Sequence, residues 1–201
     1  QPLCAISSNV QAASRMLSSK PGADVDISSA LQQAVGQAER AAEIIRRLRN
    51  LVRKHEPTRT RVDLNAIIHE AAAFARAEAR LRRIIVRLDL AKHLPPVLVD
   101  EVQIQQVLLN LSRNGIEAID EAGEGPRELA ITSVITDGFV EVAVRDSGRG
   151  LPPGDVEQLF RSFFTTKTYG LGLGLSLSRS LIEAHEGRLW ATSNPDRGAT
   201  F

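Results

Sequence analysis

Cysteine is almost absent from the sequence, which contains only Cys4 among its 201 residues. A single thiol cannot form an internal disulfide, and this rarity suits a reducing compartment such as the cytoplasm. An excess of one charge is also missing, because 25 basic residues face 24 acidic ones and the formal net charge is +1. Nucleic-acid-binding proteins usually carry a basic excess clustered on one face, so we expect no nucleic-acid partner.

Long apolar runs are missing as well. No 18 consecutive apolar residues occur, and the first residues lack the basic region, apolar segment and cleavage site of a secretory signal. The sequence therefore predicts neither a transmembrane helix nor an exported segment in this fragment, although an anchor upstream of it stays open. With 43% hydrophobic and 24% charged residues, the composition is that of a globular protein with a core.

Residues 1–56 carry apolar side chains at helical spacing on both sides of a turn-forming segment, residues 18–24. The seam positions are Leu3, Ile6, Val10, Ala13 and Leu17 before the turn, and Ile27, Leu31, Ala34, Ala38, Ala41, Ile45, Leu48 and Val52 after it. Their alternating steps of three and four residues are typical of a heptad seam. Two helices with one apolar stripe each cannot cover the seam, so we expect two hairpins to pair as a homodimeric four-helix bundle. A hairpin that docks onto the rest of its own chain is the alternative.

Residues 57–201 follow a proline, Pro57, at which the helical periodicity stops. Helices are predicted over residues 64–81, 101–122 and 174–184, and strands over residues 84–90, 97–99, 128–135, 139–145, 188–193 and 199–201. The turn pair Asp137-Gly138 joins the two long strands into a hairpin. This order of elements predicts an α+β sandwich with helices on one face of a mixed sheet.

Two carboxamides are the first candidate functional groups. Asn110 and Asn114 are four positions apart in an apolar helix, so they face the same side. Carboxamide oxygens are hard, neutral ligands suited to Mg²⁺, which takes few protein ligands. A pair of ordinary surface amides would show the same spacing.

An acid and two groups of glycines complete the candidates. Asp146 follows a predicted strand and precedes Gly148 and Gly150, which combines an acceptor for an exocyclic amine with backbone that a planar ring can approach. Residues 159–167 bring three phenylalanines, hydroxyls that include Thr165, and the ammonium of Lys167 just before a glycine run. That run, Gly170, Gly172 and Gly174, opens a helix whose amides could bind an anion.

In this order, the four segments resemble the nucleotide-binding boxes of the GHKL (Bergerat) ATP-binding domain. Sensor histidine kinases, type II topoisomerases, Hsp90 chaperones and MutL proteins share this domain, and the resemblance covers residues 62–201. Residues 163–167 and 174–185 are similar to sensor kinases of the FixL kind in particular. The resemblance implies an α/β sandwich ATP-binding domain, residues 57–201, behind a dimerisation and histidine-phosphotransfer hairpin, residues 1–56.

The resemblance also implies an activity and its residues. ATP bound with Mg²⁺ would phosphorylate a histidine, and an aspartate of a response-regulator receiver domain would then take the phosphoryl group. Asp146 would accept the adenine amino group, Asn114 with Asn110 would hold the metal, and Lys167 would meet the phosphates. The remaining implied cofactor-binding residues are Gly148 and Gly150 at the adenine, Thr165, Gly170, Gly172 and Gly174 at the phosphates, and Thr200, whose hydroxyl would support Asp146 through water.

Several features refine this expectation. The topoisomerase and chaperone branches have a water-activating glutamate where this sequence has Asn110, and an asparagine cannot accept that proton, which favours a protein nucleophile. The family's phosphoacceptor motif would place the reactive histidine four residues before Gln1, and a PAS-type sensor domain is implied upstream. Gly115 and Glu186 stand where alanine and glycine are usual, and His185 is expected to cap its helix. A GHKL-superfamily ATPase and a non-catalytic dimerisation scaffold remain the alternatives.

Overall fold

The chain divides into two compact units, Gln1–His55 and Glu56–Phe201. The structure, a computed structural model, describes residues 10, 11, 13, 15, 31, 32, 34–36, 38, 58–151, 154, 156–165 and 172–201. Every described residue of the first unit is helical, and Ala38, a predicted seam position, is buried. The predicted turn and the other seam positions between residues 1 and 56 lie mostly outside the described residues, so the hairpin and the bundle stay predictions.

The second unit is built on two sheets. Its strands are β1 (Thr60–Val62), β2 (Ile85–Leu90), β3 (Val97–Val99), β4 (Glu128–Thr136), β5 (Phe139–Asp146), β6 (Thr192–Ser193) and β7 (Ala199–Thr200). The larger sheet has the order β2-β4-β5-β7-β6, with β2 parallel to β4 and all other pairs antiparallel. β1 and β3 form a separate antiparallel pair. The mixed sheet predicted from the sequence is present.

In the described part of this unit three helices accompany the sheets, and two of them follow a capping aspartate. They are α1 (Leu64–Leu81), α2 (Glu101–Glu121) and α3 (Gly174–Ala184), and a short 3₁₀ helix spans Val156–Phe160. The carboxylate of Asp63 accepts from the Asn65 N–H of α1 at 2.9 Å, and that of Asp100 accepts from the Gln103 N–H of α2 at 3.1 Å. Such caps satisfy amides that have no partner within the helix, which fixes where these helices start.

One apolar core lies between the helices and the larger sheet. α1 packs against α2 and β2, while α2 also packs against α3, β4 and β5. Alternate residues of β4, including Leu129 and Ile131, are fully buried, so helices cover one face of this strand. Each such side chain contributes about 1.5–3 kcal/mol by leaving water. Among the described residues, no helix is both long and apolar enough to cross a membrane.

Two predicted elements differ from the structure. The strand expected over residues 188–193 is wrong for most of its length, because only Thr192–Ser193 pairs with β7, which is itself two residues long. Leu189 and Ala191 still alternate inward as buried residues, which produced the strand-like pattern. β1 was not predicted, although Thr60 and Val62 alternate with Arg61 in the two-residue period of a strand.

Candidate functional site

Asp146 is a buried acid at the end of β5, with only 3% of its surface exposed. Its Oδ1 accepts from the backbone N–H groups of Gly148 at 2.8 Å and Ala199 at 3.3 Å. Burial raises the pKa of the Asp146 carboxyl above its ordinary value of 3.8, and the two N–H groups offset part of that rise. Both hydrogen bonds that the structure describes for this carboxylate end on Oδ1, so Oδ2 can accept a hydrogen from a ligand.

A loop before β7 surrounds this acid. The Asn194 side-chain N–H donates to the Asp146 carbonyl oxygen at 3.0 Å and to the Arg197 carbonyl oxygen at 3.1 Å, and the Thr200 hydroxyl donates to Asn194 Oδ1 at 2.6 Å. A Cβ atom on Gly198 would overlap the Asp146 carbonyl oxygen. Thr200 is therefore connected to Asp146 by a side chain, Asn194, that the sequence reasoning missed.

Helix α2 brings the two asparagines to this region. Asn110 Nδ2 donates to the buried Ser178 Oγ of α3 at 3.0 Å, and a Cβ on Gly174 would lie 2.6 Å from Asn110 Oδ1. Asn114 follows one turn later and is half-buried. The next residue, Gly115, faces Asp146, since a Cβ there would lie 3.2 Å from that of Asp146. α2 thus connects the first turn of α3 to the buried acid.

Gly115 lies where α2 and β4 are in close contact. A Cβ at this position would lie 2.6 Å from Leu129 Cδ1 on β4, a distance that real Cβ contacts essentially never reach. The glycine therefore allows α2 and β4 to approach closely, at about 1 kcal/mol of helix propensity.

Gly148 and Gly172, two of the candidate glycines, are required by protein packing. A Cβ on Gly148 would lie 2.6 Å from the Ala118 carbonyl carbon, and one on Gly172 would overlap the backbone between Phe163 and Phe164. Gly150 and Gly172 also have positive φ angles of 80° and 63°. The sequence interpretation was that these glycines admit a ligand. The structure adds a second reason for them, close packing against protein backbone, which sequence spacing alone could not reveal.

The segment before α3 is only partly described. Thr165 is exposed, whereas Lys167 and Gly170 lie outside the described residues. The Phe163 N–H donates to the Gly172 carbonyl oxygen at 2.9 Å, which ties the two ends of the segment together. At α3 itself, the N-cap residue Leu173 provides no side-chain hydrogen bond to the first-turn amides. A helix N-terminus whose N-cap side chain leaves the first-turn amides without a hydrogen bond from it favours an anion.

The base of that segment is fixed by Arg179, which sequence reasoning did not single out. Its guanidinium forms two hydrogen bonds with the Glu157 carboxylate, at 2.6 and 3.2 Å, and lies 3.7 Å from the centre of the Phe160 ring. The hydrogen bond from Arg179 lowers the pKa of Glu157. Since the partners are 22 positions apart, no local pattern indicates this contact.

His185 has the structural role that the sequence predicted. It is the C-cap residue of α3, with Nδ1 2.7 Å from the Leu181 carbonyl oxygen, while Nε2 accepts from the Asp100 N–H at 3.0 Å. No three His, Cys, Asp or Glu side chains in the described part of the chain form a metal-binding group. A metal at this site would depend on amide oxygens and on oxygens of a ligand, which is compatible with Mg²⁺.

Comparisons with known proteins give this geometry a family. Residues 99–201 match the family described as histidine kinase-, DNA gyrase B-, and HSP90-like ATPase. The sensor protein FixL of Bradyrhizobium diazoefficiens is 46% identical over 204 residues, covering 100% of this chain and 40% of that protein. The sensor histidine kinase TmoS of Ectopseudomonas mendocina is 34% identical over 203 residues, covering 100% of this chain and 21% of that protein. The chain therefore spans less than half the length of these relatives.

Solved structures of histidine kinases are also similar to this chain. The catalytic domain of the histidine kinase ThkA has a TM-score of 0.62 at 34% identity, covering 71% of this chain and 91% of that one. ThkA in complex with the response regulator protein TrrA has a TM-score of 0.72, covering 100% of this chain and 57% of that one, but its 24% identity shows likeness of fold alone. The chain belongs to the histidine kinase-, DNA gyrase B- and HSP90-like ATPase family, as a catalytic core of the sensor histidine kinase type.

Proposed function

We propose that this chain is the ATP-binding and phosphotransfer core of a two-component sensor histidine kinase. The observation that carries the proposal is the buried Asp146 carboxylate, whose Oδ1 is held by two backbone N–H groups and whose Oδ2 is available to an exocyclic amine. It lies against the helix that bears both Asn110 and Asn114. The names of the relatives FixL and TmoS support the same activity.

ATP would bind with its adenine at Asp146 and its phosphates at α3. Asp146 Oδ2 accepts the adenine amino group, while Asn194 and Thr200 keep the acid in place. The amides of the first turn of α3, which the N-cap residue Leu173 does not cap, receive the phosphates. The residues that would assist them are Thr165, Lys167, Gly170, Gly172 and Gly174. The carboxamide oxygens of Asn110 and Asn114 would hold Mg²⁺, which neutralises phosphate charge when it is bound.

The reaction transfers the γ-phosphoryl group to an imidazole. A nitrogen of the phosphoacceptor histidine, which the family motif places four residues before Gln1, forms the new P–N bond as the bond to the β–γ bridging oxygen breaks. ADP leaves with that electron pair, and the imidazole proton passes to solvent. A carboxylate oxygen of the receiver-domain aspartate then forms a P–O bond to the phosphoryl group as the P–N bond breaks, and the released imidazole takes up a proton from solvent. Asn110 has no basic group and donates to Ser178, so it cannot activate water as a glutamate would.

The proposal extends to assembly and location. Residues 1–56 would form the dimerisation and phosphotransfer hairpin, paired with a second copy as a four-helix bundle, with a PAS-type sensor domain upstream. The helical state of the described positions between residues 10 and 38 and the heptad spacing support this part. A cytoplasmic location suits both the ATP substrate and the single cysteine.

The test uses the protein with its upstream segment, incubated with γ-labelled ATP and Mg²⁺. We expect an acid-labile, base-stable label that moves onto a receiver domain. Asp146→Asn should abolish the label, whereas Asp196→Asn, which alters an exposed aspartate of the neighbouring loop, should retain it. Steady-state release of labelled phosphate that depends on Asn110 would instead indicate an ATPase. Absence of Mg-ATP binding by calorimetry would indicate a scaffold.

A further inference from the structure

Arg197 forms hydrogen bonds with the backbone next to the buried Asp146. Its Nε donates to the Gly148 carbonyl oxygen at 3.2 Å, Nη2 donates to the Ala122 carbonyl oxygen at 3.0 Å, and Nη1 donates to the Glu124 carbonyl oxygen. All three described hydrogen bonds of this guanidinium therefore end on backbone carbonyls. A planar group with a fixed fork of five donors on three nitrogen atoms can hold carbonyls that lie apart from one another, whereas the three donors of an ammonium all belong to one nitrogen.

The α2–β4 loop is shaped to admit this side chain. Gly125 has a φ angle of 117°, and a Cβ there would overlap Arg197 Nη1. Ala122 is the C-cap residue of α2, and the last turn of that helix has no basic residue of its own. Arg197 thus supplies a positive charge to a helix C-terminus whose carbonyls lack helical partners.

Gly148 contacts both Arg197 and the Asp146 carboxylate. Its N–H donates to Asp146 Oδ1 at 2.8 Å, while its carbonyl oxygen accepts from Arg197. The same residue is therefore held on one side by the carboxylate and on the other by the guanidinium. If Arg197 were lost, the bond to the Asp146 carboxylate would be the one that remains among the hydrogen bonds described for the Gly148 backbone.

We propose that Arg197 is a positioning residue for the base end of the nucleotide site, acting through Gly148 on the Asp146 carboxylate. This inference rests on the proposed function, because it takes the ligand of Asp146 to be the exocyclic amine of adenine. Arg197 sets how strongly the site prefers adenine over a purine without that amine. It does not set the binding of the phosphates, which lie at α3.

The experiment compares Mg-ADP with Mg-IDP, because hypoxanthine carries a carbonyl where adenine carries its amino group. Wild-type protein should bind ADP more tightly than IDP. Arg197→Met should lower ADP affinity by about tenfold, the effect of roughly one hydrogen bond, and should lower IDP affinity much less, so the ADP:IDP ratio falls. Arg197→Lys should recover part of the ratio. Arg145→Met, a matched control whose guanidinium lies 3.6 Å from the exposed Asp196 carboxylate, should keep it.

Each outcome decides a different question. If wild-type protein binds neither nucleotide, the proposed function fails. If wild-type protein prefers ADP but folded Arg197→Met keeps the same ratio, the positioning role is overturned, even if its melting temperature is lower. Should Arg197→Met not fold, Arg197→Lys gives the answer, since an unchanged ratio in that variant also overturns the role.

Discussion

At the residue scale, protonation of the Asp146 carboxyl affects the stability of the fold and the proposed binding of nucleotide in opposite directions. Burial raises its pKa in the folded protein, so the nucleotide-free fold is favoured by protonation. That contribution to stability is fully present below the unfolded value, near 3.8, and is lost as pH rises through the folded pKa. The proposed adenine contact has the opposite requirement, because only the ionised carboxylate is purely an acceptor.

We therefore predict that the affinity for Mg-ADP falls as pH is lowered through the raised pKa of Asp146. The loss should begin at a higher pH than an ordinary aspartate would give. Isothermal titration calorimetry over a pH series measures it, with Mg-IDP as the reference ligand, because the titration of the phosphates is common to both nucleotides while IDP lacks the exocyclic amine. Parallel affinity profiles for the two nucleotides would contradict the prediction.

Glu186 offers a second residue-scale prediction. It follows the C-cap of α3 with a φ angle of 61°, a conformation that costs a non-glycine residue about 1–2 kcal/mol. Its exposed carboxylate pairs with Arg59 at 3.1 Å, which adds little in water. Glu186→Gly should raise the free energy of unfolding by about 1 kcal/mol, or Tm by roughly 2–4 °C in thermal melts.

Glu186→Ala is the matched control for this change. It removes the same ion pair and keeps a Cβ in the left-handed conformation, so we expect no gain in Tm. Equal melting temperatures for the glycine and alanine variants would show that the backbone conformation is not the source of the cost.

At the element scale, the pairing of β7 with β5 encloses the acid. The N–H and carbonyl groups of Phe201 exchange hydrogen bonds with those of Val144, at 3.0 and 2.9 Å, and the Ala199 N–H reaches Asp146. Gly198 lies at the point of closest approach, where a Cβ would overlap the Asp146 carbonyl. The loop before β7 and β7 itself must therefore both pack closely against Asp146.

We predict that Gly198→Ala destabilises the fold by about 3 kcal/mol or more and abolishes ADP binding, because the β7 loop must move away from β5. Gly138→Ala serves as the control, since Gly138 also has a positive φ angle, 82°, but a Cβ added there would have no atom within 4 Å. That variant should lose only about 1 kcal/mol and keep its ADP affinity. Urea unfolding and calorimetry measure both, and similar losses in the two variants would contradict the steric argument.

The elements that local chemistry determines were predictable from the sequence. The bounds of α1 follow from the capping aspartate Asp63 and an apolar stripe, and β4 and β5 follow from their two-residue alternation around Asp137-Gly138. The strand over residues 188–193 was overextended because strand length depends on the partner, and β7 pairs with only two of these residues. Pattern within a segment cannot report how long its neighbour is.

Within the candidate site, the sequence predicted roles for Asp146 and Asn110 but did not single out several of the residues that surround them. Arg197 contacts the Ala122 carbonyl 75 positions away, and Ser178 meets Asn110 over 68 positions. These contacts exist only once the helices and the sheet are packed, and an arginine or serine in a loop or helix has many ordinary uses. Gly148 was identified, but its close packing against Ala118 could not be derived before α2 was placed.

At the scale of the whole molecule, the second unit has a core of its own. Every residue of the contiguous buried cluster that the structure describes lies between Leu64 and Ala191. A unit with its own core can fold without the rest of the chain. The site residues that the structure describes also belong to this unit, so folding and nucleotide binding should be separable from residues 1–55.

We predict that the fragment Glu56–Phe201 folds cooperatively and binds Mg-ADP when it is expressed alone. At a nucleotide concentration of about 100 times Kd, binding should stabilise it by about 2.7 kcal/mol against chemical unfolding. The same fragment with Asp146→Asn should fold but gain no stability from nucleotide. A fragment without near-ultraviolet circular dichroism would contradict the independence of this unit.

The loop around Asp146 has a consequence for the newborn chain. The groups that enclose the acid, Asn194 and the Ala199 N–H, are 48 and 53 positions further along. A nascent chain that has been synthesised only as far as β5 contains the strand and its carboxylate. It lacks the segment that shields them from water. Truncated translation products that end before Asn194 should therefore not bind ATP. ATP binding should arise only after the C-terminal segment has packed against β5.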